Sequence, residues 1–273
     1  MNNIKIAFEN AEKNNSSVLI GFVTGCCPDY ETSKLILKTM TKYCPIIEVG
    51  IPFNTSTSDS AIIMDANDRA IANGATTEKV LQLIKEVKSE IDTPTAFVTM
   101  GYLNNVYQSG TKNFIKNAKD HGVDGCIFVD ANLGSPEDNE LYEQCVESQI
   151  GYIKLVTPTN DESYIQDTLK KCNSWIYVVS RAGVTGFKKY ETENIKKLTD
   201  LIKKNSQDTK IGVGFGIKSK EDVKEVGQYS DGVIVGSGIV RYINEGVENK
   251  LDGHKIASNI GDYLSELSKG LSK

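Results

Sequence analysis

Two carboxylates draw attention in PIIEVGIPFNTSTSDSA, residues 45–61. Glu48 interrupts a short Ile/Val run, and Asp59 follows eleven residues later among small hydroxyl side chains. A short apolar run of this kind reads as a buried strand. Strand residues alternate faces, so Ile46, Glu48 and Gly50 share one side while Ile47 and Val49 share the other. A glutamate on a packed side loses hydration, which disfavours its charged form. Its pKa then moves up from about 4.3 toward neutrality, where a carboxyl can both give and take a proton. The competing reading is an outward-facing Glu paired with a Lys of a covering helix.

Three glycine clusters occupy the second half of the chain: SRAGVTG (180–186), GVGFGIKS (212–219) and VGSGIV (235–240). Glycine lets a backbone approach a ligand and present bare N–H groups, and a helix N-terminus adds a field that favours an anion. Any one cluster is compatible with ordinary turn chemistry. Three clusters after consecutive strands point to a phosphate cradle. GVGFGIKS lacks the third glycine of a dinucleotide fingerprint and lies far from the N-terminal βαβ unit where that fingerprint belongs, so a nicotinamide cofactor is not expected.

The elements that must position these residues are legible as a pattern. Runs rich in Val, Ile and Phe recur at 18–24, 46–50, 95–99, 125–129, 152–156, 176–180, 210–214 and 232–235. Between them lie stretches such as EKVLQLIKEVKSE (78–90) and IKKLTDLIKK (195–204), whose apolar positions return every three or four residues. Ser219 followed by Asp222 reads as an N-cap opening a helix. Eight strands alternating with helices predict a parallel sheet, and eight is the number that closes a barrel. The expected architecture is a single (β/α)8 TIM barrel over 1–273 with an extra N-terminal helix; a doubly wound open sheet has the same periodicity. The segment HKIASNIGDYLSELSKGLSK (254–273) reads as a final amphipathic helix.

Composition narrows the class. A 273-residue chain with 39% hydrophobic and 8% aromatic residues has enough apolar material for a substantial core. The net charge of −5 argues against a nucleic-acid or anionic-membrane surface. No stretch approaches the roughly 20 apolar residues of a membrane span, and MNNIKIAFENAEKNN has no apolar signal region. Six scattered cysteines without CxxC spacing and two histidines in no ligand pattern point to reduced thiols, a cytoplasmic location and no metal site.

EVGIPF followed by Asp59, together with SRAGVTG, GFGI and VGSGIV, resembles the tryptophan synthase α subunit family over nearly the whole chain, from Phe22-Val-Thr onward. The resemblance implies a carbon–carbon lyase that cleaves indole-3-glycerol phosphate to indole and glyceraldehyde 3-phosphate. It implies no cofactor in this chain, and a partner β subunit bearing pyridoxal phosphate in an α2β2 complex. By resemblance Glu48 is the general acid/base, Asp59 stabilises the indole N–H, and Tyr177 joins them at the catalytic end. Gly186, Phe215, Gly216, Gly236 and Ser237 match the phosphate cradle, Phe22 and Met100 the indole pocket, and Thr185 and Gly183 a closing lid. Asp130 matches an acidic residue suited to an interface or structural role. Two carboxylates with opposite needs are expected: Glu48 protonated, Asp59 ionised.

The chain also departs from the family's pattern. PFNTSTSDSA stands where PFSDPLADGP is usual, TGCCPD replaces a Gly-Asp-Pro turn, and Asp130-Ala-Asn replaces Asp-Val-Pro. Loss of both later prolines predicts a looser loop over 54–61. The alternatives are a β-subunit-activating regulatory chain with little lyase activity, or another sugar-phosphate barrel such as a stand-alone indole-releasing lyase. An epimerase of the ribulose-phosphate type would want metal-binding histidines at strand ends.

Overall fold

The computed structural model describes residues 3–56, 59–179, 188–214 and 216–273. Among them, eight parallel strands close into a barrel in chain order. These are β1 (Val18–Thr24), β2 (Ile46–Gly50), β3 (Ala96–Gly101), β4 (Gly125–Phe128), β5 (Gly151–Val156), β6 (Trp175–Val179), β7 (Lys210–Gly214) and β8 (Gly232–Val235). Helix α1 (Asn3–Lys13) precedes the barrel, as expected. Outside it run α2 (Tyr30–Met40), α3 (Ala61–Ala72), α4 (Thr77–Ser89), α5 (Leu103–Tyr107), α6 (Thr111–Asp120) and α7 (Pro136–Glu147). The remainder are α8 (Glu162–Lys170), α9 (Lys188–Asn205), α10 (Lys220–Gly227), α11 (Ser237–Glu248) and α12 (Gly253–Ser268).

Closure is decided by pairing of β1 with β8, Val18 opposite Gly232 and Ile20 opposite Ile234. Periodicity could not show this pairing, since it joins the two ends of the sheet. Strands at 18–24, 46–50, 210–214 and 232–235 stand as read, and the other four shift by one or two residues. Every residue of β1, β2, β4 and β8 is buried, the continuous apolar reading of a sheet covered on both faces.

Strand alternation divides the core in two. Val18, Ile20, Ile46, Val98, Ile127, Ile153, Trp175 and Ile234 join Ile4 and Phe8 of α1 in a cluster inside the barrel. Phe8 and Trp175 meet with ring centroids 5.9 Å apart, so α1 closes the barrel's lower end. Residues of opposite parity, among them Leu19, Ile47, Phe97 and Val213, pack outward under the helices. Ser219 and Asp222 form the expected reciprocal cap on α10, and α12 covers α2 and α11 as the final amphipathic helix.

One buried charge pair was not anticipated. Lys154 of β5 is 5% exposed and Asp138 of α7 is fully buried, with Nζ and Oδ1 2.5 Å apart. The Tyr152 hydroxyl donates to the same carboxylate at 2.7 Å, and the Gly134 N–H donates to its other oxygen at 2.9 Å. The pair thereby ties the loop after β4 to β5. All six cysteines are free thiols. Among the described residues, no helix is long and apolar enough to cross a membrane.

Candidate active site

Glu48 is the middle residue of β2, flanked in register by Phe22 of β1 and Val98 of β3. Its parity matches Ile46, so the side chain points into the barrel, above the apolar filling. It is fully buried, and neither carboxylate oxygen has a hydrogen-bond partner. The outward, Lys-paired reading is therefore excluded. Burial pushes its carboxyl up to about 8. A carboxyl in that position keeps its proton at neutral pH, because the apolar surroundings penalise the anion.

Asp59 lies just before α3 and is half-buried. The Asn67 side-chain amide of α3 donates to its Oδ2 at 3.2 Å. Burial raises the Asp59 carboxyl above its ordinary value, with the Ser56 and Asn67 side chains opposing the rise. Both carboxyls are thus shifted upward, where the sequence argument expected the environment to separate them by direction. They differ instead in partners: Glu48 has none, while Asp59 has a donor that favours its charged form.

Tyr177 of β6 shares the interior face with Trp175. Burial raises its phenol, and the Glu48 and Asp59 charges raise it further. All three side chains therefore converge at the C-terminal mouth of the barrel, the end where barrel chemistry resides. Room for Tyr177 comes from β7: a Cβ added at Gly214 would stand 2.8 Å from the Tyr177 hydroxyl. The preceding Gly212 likewise lies 3.1 Å, by its absent Cβ, from Trp175 Nε1. Two glycines of GVGFGIKS, read from the sequence as part of a ligand cradle, are thus required for packing inside the barrel. Gly216, in left-handed backbone with φ of +50°, turns the chain beyond them.

The Phe22 ring spans the mouth. A Cβ at Gly50 would stand 2.9 Å from it and one at Gly236 3.4 Å, so the ring lies between the ends of β2 and β8. Met100 is half-buried, in register with Gly50 and Ile127, and packs against both core clusters. Gly236 is the N-cap of α11 and Ser237 its first residue. That helix opens with no side-chain cap and no acidic residue in its first turn, and the Ile239 and Val240 N–H groups donate to the Gly236 carbonyl. Gly183, Thr185, Gly186 and Phe215 lie outside the described residues, as do Thr57 and Ser58 of the substituted loop. Asp130 is exposed, and its carboxylate accepts the Leu103 N–H at 2.8 Å, fastening the start of α5.

Two polar residues at this end were missed from the sequence. Thr24 closes β1 and Asn67 sits in α3; they are 1% and 4% exposed, and the Thr24 hydroxyl donates to Asn67 Oδ1 at 3.2 Å. The available signal was an amide on the apolar stripe of α3, beside Ala66 and in line with Ala70.

Comparison with known proteins agrees with this geometry. The family model described as tryptophan synthase alpha chain matches residues 8–266. The tryptophan synthase alpha chain of Desulfatibacillum aliphaticivorans is 35% identical over 271 residues, 99% of this chain and all of that one. That of Petrotoga mobilis is 36% identical over 237 residues, 86% of this chain and 90% of the relative. Among solved structures, tryptophan synthase subunit alpha from Legionella pneumophila superposes with a TM-score of 0.86 at 28% identity, covering 99% of this chain and 98% of the other. A chain of Mycobacterium tuberculosis tryptophan synthase superposes with a TM-score of 0.87 at 26% identity, again over 99% and 98%. On a match that runs through the barrel and both carboxylate-bearing segments, this chain belongs to the tryptophan synthase alpha chain family.

Proposed function

We propose that this chain performs the retro-aldol cleavage of indole-3-glycerol phosphate to indole and glyceraldehyde 3-phosphate, with Glu48 moving the proton. The observation that carries this reading is the unpartnered, fully buried Glu48 carboxyl, held protonated at neutral pH at the mouth of the barrel. The bond between indole C3 and the glycerol carbon breaks only after C3 gains a proton. Glu48 gives that proton, leaving a carboxylate and a positively charged indole ring. The same carboxylate then takes the proton of the adjacent side-chain hydroxyl as the carbon–carbon bond breaks, its electrons returning to the ring. One proton cycles, and the products are neutral indole and an aldehyde.

Asp59 accepts the indole N–H and stabilises the ring charge while it lasts. Tyr177 bounds the pocket between the two carboxyls, and Phe22 and Met100 form its apolar walls. Gly216, Gly236 and Ser237 receive the substrate phosphate, with Gly186 and Phe215 joining them by resemblance, and Thr185 and Gly183 belonging to a lid. No cofactor takes part in this chain's step. The likeness to a chain of a solved tryptophan synthase supports a β subunit partner carrying pyridoxal phosphate, in an α2β2 complex. The whole chain serves as one barrel in the cytoplasm.

The test is indole release from indole-3-glycerol phosphate, with and without a tryptophan synthase β subunit, for the parent, Glu48→Gln and Asp59→Asn. Removing a positioned acid/base lowers kcat by roughly 10²–10⁴-fold, and both variants are expected to fall at least that far. A parent that binds the β subunit yet releases no indole would overturn the lyase reading in favour of a regulatory chain.

A further inference from the structure

The geometry points to Asn67, oriented by Thr24, as the positioning residue that keeps the Asp59 carboxylate aimed into the mouth and ionised. This inference deepens the proposed function and rests on it for the role of Asp59. Asn67 is the polar member of an otherwise apolar stripe on α3, and it is 4% exposed. A buried amide in such a place is destabilising unless its donors and acceptor are used. Here three segments at the mouth supply partners. From β1, the Thr24 hydroxyl meets Oδ1 at 3.2 Å. From the loop after β2, the Phe53 carbonyl accepts from Nδ2 at 3.4 Å. From the start of α3, Asp59 Oδ2 accepts from the same nitrogen at 3.2 Å.

These partners determine which way the amide points. A carbonyl and a carboxylate only accept, so the face toward Phe53 and Asp59 must be the NH2 group. The Thr24 hydroxyl then has to donate, because the remaining face is the amide oxygen. Rotating the amide by half a turn would set its oxygen against two acceptors at once. Asn67 is consequently a donor toward Asp59 in every satisfied arrangement of the network, and it favours the charged carboxylate over the protonated one. The Phe53 end is itself anchored, its ring stacked on Tyr102 with centroids 4.8 Å apart. Asp59 is therefore referenced to β1, to the loop after β2 and to α3 together.

The other titratable groups facing Asp59 are Glu48 of β2 and Tyr177 of β6, whose phenol responds to both carboxylates. Ser56 and Asn67, from the loop and α3, carry no charge. With Glu48 protonated and Tyr177 neutral near pH 7, the uncharged Ser56 and Asn67 side chains are the groups that oppose the rise caused by burial, and of the two it is Asn67 that ties Asp59 to β1 through Thr24.

The experiment follows the Asp59 carboxyl carbon by NMR across pH 3–8 in the full-length parent, Asn67→Ala and Thr24→Val, with Asp59→Asn for assignment. Steady-state indole release is measured beside it. The Asp59 midpoint is expected to rise in Asn67→Ala and, by less, in Thr24→Val, which leaves Asn67 in place but frees its orientation. Loss of one hydrogen bond to a charged group should lower kcat about 10- to 100-fold with KM within about twofold, since the phosphate contacts are untouched. An unchanged midpoint in both variants overturns the inference, and so does a loss carried wholly by KM. If Asn67→Ala does not fold, Thr24→Val decides by the same two readouts. A parent that binds partner but releases no indole removes the lyase reading alone, and the titration still decides the role of Asn67.

Discussion

An unpartnered carboxyl inside a barrel is under two opposing demands, and Glu48 shows how they are met. Its proton makes burial tolerable, and the same proton is what the proposed chemistry consumes and recovers. The consequence for stability has a definite sign. With an ordinary value of 4.5 in the unfolded chain and about 8 when folded, Glu48 holds more proton in the folded state between those limits. Its contribution is most favourable below pH 4.5 and is lost as pH rises through 8. Glu48→Gln removes that penalty, so the variant should be more stable than the parent by on the order of 5 kcal/mol above pH 8, and by little near pH 4.5. Urea denaturation of both proteins across pH 4.5–9 checks this. Two curves that stay parallel throughout would mean that Glu48 ionises freely in the folded protein.

At the scale of elements, the mouth is shaped by an exchange of size between neighbouring strands. β6 contributes Trp175 and Tyr177 to the interior, and β7, paired beside it, contributes Gly212 and Gly214. Large side chains on one strand require absent ones on the next, since the interior packs at crystal-like density. Gly214→Ala should displace Tyr177, costing about 1–3 kcal/mol of stability and depressing indole release by more than the stability loss alone explains. The check is a thermal melt set beside kcat at a temperature where the variant stays fully folded. Full activity with a lowered Tm would show that Tyr177 tolerates displacement and has no place in the chemistry.

At the scale of the whole molecule, the catalytic end depends on contacts that lie outside the barrel interior. The Lys154–Asp138 pair joins β5 to α7 and, through Gly134 and Ala131, fixes the loop after β4. That loop carries Asp130, which in turn fastens α5. Breaking a buried pair by removing one partner typically costs about 3–5 kcal/mol, while replacing both with apolar residues costs far less. Lys154→Met alone is expected to fall in that range, and Lys154→Met with Asp138→Leu to recover much of the loss. Denaturant unfolding of the singles and the double forms the cycle. A single variant within about 1 kcal/mol of the parent would show that Tyr152 and the Gly134 N–H already satisfy Asp138.

Much of this was already readable in the residues. Short runs rich in Val, Ile and Phe located eight strands, and period-3.6 patterning the helices between them, because both signals lie in neighbouring residues and need no tertiary information. A charged residue inside an apolar run marked Glu48, since only function or pairing explains such a placement. Tertiary structure alone decided the rest. Closure of the barrel joins β1 to β8 across the length of the chain, which no local pattern encodes. Whether the glycines of GVGFGIKS serve a ligand or a neighbour turned on Trp175 and Tyr177 lying beside them, 37 residues earlier in each case. The setting of Asp59 came from two segments: Asn67 in the following helix donates to it, and Thr24 at the end of the first strand donates in turn to Asn67. Hydrogen bonds and desolvation depend on distances between side chains, and those distances exist only once the chain has closed.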